Sequence, residues 1–97
     1  MPGTLAPVTA IAVISGEIDI TTSRAMREAL TAALRAGPDL IVDLSGVTFI
    51  DCSEVGVLVA ARNEAVAGGG SLVLRAPSEA VRRVTRILGL DGVLPVA

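Results

Sequence analysis

The sequence predicts an α/β fold: a mixed, mostly parallel β-sheet of four to five strands with helices packed on it. Three observations predict it. Short runs rich in Val, Ile and Leu alternate with stretches whose apolar residues recur every three or four positions, in the order strand, helix, strand, helix, strand, helix, strand. Each helical stretch ends at a glycine stop, at Gly37-Pro38, Gly68-Gly69-Gly70 and Gly89. The chain has 97 residues, enough for one core, and shows no internal repeat or linker, so residues 1–97 read as a single domain.

Residues 1–7, with Pro2, Gly3 and Pro7, form a loosely ordered lead-in, within which Leu5 is a candidate for a first edge strand. Val8 to Ser15 is apolar almost throughout and suits a strand covered on both faces. Gly16 to Ile20 reads as a turn carrying two carboxylates, Glu17 and Asp19. Thr21, Thr22 and Ser23 supply hydroxyl caps for a first helix, whose inner stripe is Met26, Leu30, Ala33 and Leu34. Leu40 to Leu44 is the next strand. Asp43-Leu44-Ser45-Gly46 reads as its exit and a turn, and Phe49-Ile50 as a second short apolar patch.

After Asp51 the period becomes helical, through Val55, Leu58, Val59, Ala65 and Val66, predicting a helix from about Ser53 to Ala67. Asp51 is placed to cap it, with Glu54 three residues on at the capping-box position. Cys52 and Ser53 then sit in the first turn, among backbone N–H groups that lack intrahelical partners, an arrangement suited to holding negative charge. The three glycines that end this helix precede a strand, the reverse of a phosphate-binding loop, and no Gly-Lys-Ser/Thr follows them. Ser71 to Arg75 is a third strand. Pro77-Ser78 opens a last helix with Val81, Val84, Ile87 and Leu88 inward, and Val93-Leu94 offers a short final strand.

Composition narrows the function. Net charge is −2, all eight basic residues are arginines, and the one aromatic residue is Phe49, so nucleic acid is a poor partner. Without His, Tyr, Trp or Lys most acid–base and Schiff-base chemistry is out of reach, and the one Cys and the carboxylates show no metal-ligand spacing. The chain is therefore expected to have no catalytic residue, metal or cofactor. No apolar run nears the roughly 18 residues of a membrane span, and the N-terminus lacks the pattern of a signal peptide. With a single cysteine, these features predict a cytoplasmic protein without membrane insertion.

The segments Ile14-Ser15-Gly16-Glu17-Ile18-Asp19, Ile41 to Val47, and Phe49-Ile50-Asp51-Cys52-Ser53-Glu54-Val55-Gly56-Val57-Leu58 resemble the STAS domain of bacterial anti-sigma factor antagonists. Gly69 to Leu74 and Val84 to Gly89 fit the same pattern, so the resemblance covers nearly the whole chain. It implies a single STAS domain acting as a monomer or weak dimer. Its partner would be an anti-sigma factor of the serine-kinase type, sequestered so that a sigma factor is freed for transcription. It also implies a switch, in which phosphorylation of a serine in the first turn of the central helix breaks the complex. The partner-binding residues carried over or adjoining are Gly16, Glu17, Asp19, Asp51, Cys52, Ser53, Glu54 and Val55.

The family pattern is Asp-Ser-Ser/Thr/Ala-Gly, with the phosphoacceptor straight after the Asp. Here Cys52 takes the acceptor position and Glu54 stands where the glycine usually is. Ser53 is the less favoured acceptor, since one residue is about 100° around a helix. A degenerate phosphorylation site implies a constitutive antagonist. Plainer roles stand beside these: Asp51 and Ser53 as helix caps, Cys52 as a small semi-buried side chain or a redox sensor, Asp19 as a turn closer, and Arg82, Arg83 and Arg86 as a solvated helix face. Two other functions fit the same fold, an adaptor subunit of a membrane transport or lipid-trafficking complex and a nucleotide-binding STAS module.

Overall fold

The computed structural model describes residues 9–97. The lead-in, and with it Leu5 and the start of the first strand at Val8, lies outside the described residues. The elements are β1 (Thr9–Ile18), α1 (Ser23–Ala36), β2 (Asp39–Ile50), α2 (Cys52–Ala67), β3 (Ser71–Arg75) and α3 (Glu79–Ile87). The strands form one sheet in the order β1-β2-β3, and both pairings are parallel.

Three strands among the described residues are fewer than the four to five expected, and no pairing among them makes the sheet mixed. Val93-Leu94 is not the fourth strand. Leu94 N–H donates to the Leu90 carbonyl in a turn, its side chain is buried in the core, and among the described residues this segment pairs with the sheet only at an isolated bridge between Leu74 and Val96. Pro95, which has no N–H to donate, contributes its carbonyl to Leu74 N–H at 2.8 Å.

Burial alternates along the strands. Ala10, Ala12 and Ile14 of β1, Leu40, Val42 and Leu44 of β2, and Leu72 and Leu74 of β3 face one core with Met26, Leu30, Val55, Leu58 and Val81 from the helices. Each fully buried Val, Leu or Ile contributes roughly 1.5–3 kcal/mol. The other face of β1 is open, contrary to the expectation of cover on both sides, and leaves Ile11 and Val13 exposed. On α3 the inward residues are Val81 and Thr85, with Val84 half-buried, whereas Ile87 and Leu88 point outward. Thr85 can stand in the core because its hydroxyl donates back to the Val81 and Arg82 carbonyls.

The two turns expected within the strands are instead β-bulges. β1 continues through Gly16 to Ile18, and β2 runs unbroken through Ser45 and Gly46 to Ile50. Register shifts between Val13 and Ser15, and again between Gly16 and Glu17, give β2 two extra residues opposite β1. Gly16 takes φ +84, a conformation open mainly to glycine. The local bonding expected of Asp43 is present within the bulge, where its Oδ1 accepts from Ser45 N–H at 3.0 Å and Ser45 Oγ at 2.7 Å.

At the other end of the sheet, Gly70 passes against the Pro38 carbonyl so closely that a Cβ there would lie 1.4 Å from the oxygen. Gly70→Ala is predicted to destabilise the fold by on the order of 3 kcal/mol or more, since the backbone must move. Gly56, inside α2 and exposed, has open space where a methyl group would stand, with nothing within 4 Å. Gly56→Ala should therefore stabilise by about 1 kcal/mol through helix propensity. Denaturant unfolding of the two variants checks both signs.

Candidate functional site

β1 and β2 end side by side, with Ile18 opposite Ile50. The next residue of each chain segment is an aspartate, Asp19 and Asp51, and Asp51 N–H donates to the Ile18 carbonyl at 3.2 Å. The loop after β1 and the start of α2 are thereby joined into one surface at the C-terminal edge of the sheet.

Asp19 holds the first half. Its Oδ1 accepts from Thr21 N–H at 2.9 Å, Thr21 Oγ1 at 2.6 Å and Thr22 N–H at 3.2 Å. These bonds, the Thr21 hydroxyl foremost, hold its carboxyl below the usual carboxylate range. The stabilisation of the loop is therefore present at neutral pH and is lost only as pH falls through that lowered value. Asp19 closes the turn, as expected of it, while the Thr22 hydroxyl makes no cap bond to α1 and instead donates to the Glu17 carbonyl. Glu17 is exposed and Gly16 half-buried.

Asp51 holds the second half. In an extended conformation (φ −91, ψ 166) it caps α2, its Oδ1 accepting from Glu54 N–H at 3.2 Å. The same oxygen accepts from Ser53 Oγ at 2.7 Å. Cys52 and Ser53 stand in the first turn, as expected, and Cys52 is exposed there rather than semi-buried.

Glu54 and Val55 are placed differently from the other expected contact residues. They are 2 % and 0 % exposed and lie beneath the surface. Glu54 does not complete a capping box either, because the Asp51 N–H it would accept from is taken by Ile18. Its Oε1 has no hydrogen-bond partner among the described residues.

Two exposed apolar side chains at this edge are not evident from sequence. Phe49 is 48 % and Ile20 82 % exposed. Phe49 and Ile50 read as one apolar patch, but strand alternation sets them on opposite faces, and the second bulge, between Val47 and Phe49, lets Val47 and Ile50 both turn inward while Phe49 turns out beside Glu17. The signal that points to it is Gly16, whose freedom at positive φ permits the bulge.

The site has acceptors, one thiol, one serine hydroxyl and a helix N-terminus, with exposed apolar groups beside them. Among the described residues no cluster of His, Cys, Asp and Glu is arranged to hold a metal. A groove of about 600 Å³ between α1 and α2, lined by Thr31, Leu34, Glu64 and Ala65, lies toward the far end of α2. No described helix is long and apolar enough to cross a membrane. The exposed acceptors and apolar side chains lie together on one surface.

The chain is similar to known proteins along nearly its whole length. Residues 5–95 match the family model described as Mlab, STAS domain. The anti-sigma-B factor antagonist of Bacillus subtilis (strain 168) is 33 % identical over 84 residues, which is 87 % of this chain and 77 % of the relative. An anti-sigma factor antagonist from Mycobacterium paratuberculosis superposes with a TM-score of 0.79 at 30 % identity, over 91 % of this chain and 75 % of that one. The anti-sigma factor antagonist SpoIIAA in its unphosphorylated form gives 0.75 at 26 % identity, over 98 % and 84 %. Bacillus SpoIIAA in its phosphorylated form gives 0.70 at 25 %, over 98 % and 87 %. With its parallel sheet, its capped central helix and these matches along almost its whole length, the chain belongs to the STAS domain family, among the relatives of the anti-sigma factor antagonists.

Proposed function

We propose that the chain is an anti-sigma factor antagonist that binds an anti-sigma factor of the serine-kinase type and so frees a sigma factor. The observation that carries this reading is the joined surface at the sheet edge. Exposed Cys52 and Ser53 stand on a turn capped by Asp51, and the Asp51–Ile18 bond sets that turn against the loop of Glu17 and Asp19. In the structural relatives the fold serves antagonists, one of them solved in phosphorylated and unphosphorylated forms.

In this chain the switch is lost. A thiol occupies the position after the capping aspartate, and a kinase arranged for a serine hydroxyl does not turn it over. Ser53 is no substitute. It lies about 100° further around the axis, and its hydroxyl donates to Asp51 Oδ1 with Glu54 Oε2 at 3.4 Å. A phosphate there would bring about −1.5 to −2 charges against two carboxylates. The chain thus acts as a constitutive, unphosphorylated antagonist.

A second reading, an adaptor subunit in a membrane transport or lipid-trafficking complex, draws on the open sheet face with Ile11 and Val13 exposed. An affinity pull-down from the native cell with mass spectrometry separates the two. Recovery of an anti-sigma factor supports the antagonist, and recovery of a transporter ATPase without one supports the adaptor.

For an antagonist, Asp51→Arg should weaken the complex with the recovered anti-sigma factor by more than about tenfold in a calorimetric titration, through both charge and the lost cap. Asp51→Asn retains a capping oxygen, so it isolates the charge; unchanged affinity in both variants contradicts a docking role for Asp51. Incubated with its kinase and ATP, the native chain should keep its intact mass, while Cys52→Ser, which returns the hydroxyl with little change in volume, should gain one phosphate. A phosphate on Ser53 of the native chain would contradict the lost switch.

A further inference from the structure

Glu54 is a buried carboxylate without an adequate donor. Its side chain is 2 % exposed, and among the described residues Oε1 accepts no hydrogen bond. Oε2 has one long contact, 3.4 Å from Ser53 Oγ, and the single proton of that hydroxyl lies in the shorter 2.7 Å bond to Asp51. Two carboxylates compete for one donor, and Asp51 holds it. No arginine makes up the deficit, since the ion pair found among the described residues joins Arg75 to Asp43 in the sheet.

The contact with Ser53 shows which way the carboxylate points. Ser53 is exposed, so the Glu54 carboxylate lies beneath the surface of the first turn with Oε2 beside the Ser53 hydroxyl. The positive end of α2 offsets part of the cost of burying this charge, but a buried charge lacking hydrogen bonds remains unfavourable. Glu17, Asp19 and Asp51 add further negative charge along the same edge. The turn that the sequence alone suggested for holding an anion is already occupied by the chain's own anions, and the group it lacks is a cation.

We infer that Glu54 is a specificity-determining residue for a partner that presents an arginine to the first turn of α2. For a partner to reach Glu54, the exposed Ser53 side chain must leave its bond to Asp51 for another rotamer. The planar fork of a guanidinium can then donate charge-assisted bonds to Glu54 and Asp51 together, about twice as strong as those a neutral donor makes to the same oxygens. A partner with an acidic residue at that point is disfavoured by like-charge repulsion, and one with an apolar residue gains nothing from Glu54. The inference rests on reading this turn as a protein-docking surface and names the chemistry that the partner must bring to it.

The test uses the isotopically labelled chain and two capped tripeptides, one with a central arginine and one with citrulline, its neutral near-isostere. NMR follows the Glu54 carboxyl carbon and the backbone amides of the first turn of α2. The arginine peptide should shift these signals saturably and the citrulline peptide should not. Glu54→Gln should weaken the arginine titration by at least about fivefold. Equal responses to the two peptides, no saturable response, or an unchanged titration in Glu54→Gln would overturn the inference. The probe is not an anti-sigma factor, so the two readings fail separately: a positive titration beside a pull-down without an anti-sigma factor removes the proposed function and leaves the arginine preference standing.

Discussion

The hydrogen bond from Asp51 N–H to the Ile18 carbonyl is the constraint on which the site depends. It requires β1 and β2 to finish level, although β2 has two more residues than β1 in the interval that brings them there. Continuing the register of Val13 with Asp43 without interruption would set Ile18 opposite Thr48, and α2 would start two residues beyond the loop of Asp19. The two bulges absorb the excess. Because the excess is even, the side-chain alternation broken by the first bulge is restored by the second, and Ile18 and Ile50 both return to the core.

That geometry sets the charge at the start of α2. A helix N-terminus is ordinarily an anion site, with free N–H groups and the positive end of the dipole. In α2 the cap and the third residue are both acidic, and they meet the electrostatic demand of the turn from within the chain. Asp51 meets it at the cap, and Glu54 adds a second carboxylate beneath the turn.

Much of this is legible in the residues. The order of elements, the helix stops, the capping role of Asp51 and the turn-closing role of Asp19 all follow from local rules of spacing and hydrogen bonding, and these are fixed by neighbours in sequence. The departures share one physical origin. Ser45-Gly46 and Gly16 carry turn chemistry, but pairing between β1 and β2 overrides it and converts both turns into bulges. The exposure of Phe49 and Ile87 and the burial of Glu54 are likewise set by tertiary placement. Glu54 satisfies the capping-box pattern in sequence, yet a carbonyl from another strand takes the donor it would have used.

The central claim is that the loop after β1 and the first turn of α2 form one docking surface. Hydrogen exchange on the chain alone and saturated with its anti-sigma factor tests it most directly, since the first N–H groups of a helix have no intrahelical partner and report cover readily. Binding should slow exchange over Gly16 to Asp19 and over Cys52 to Val55 together, and leave α3 unchanged. Protection confined to α3 or to the groove between α1 and α2, with the sheet edge exchanging as in the free chain, would contradict it.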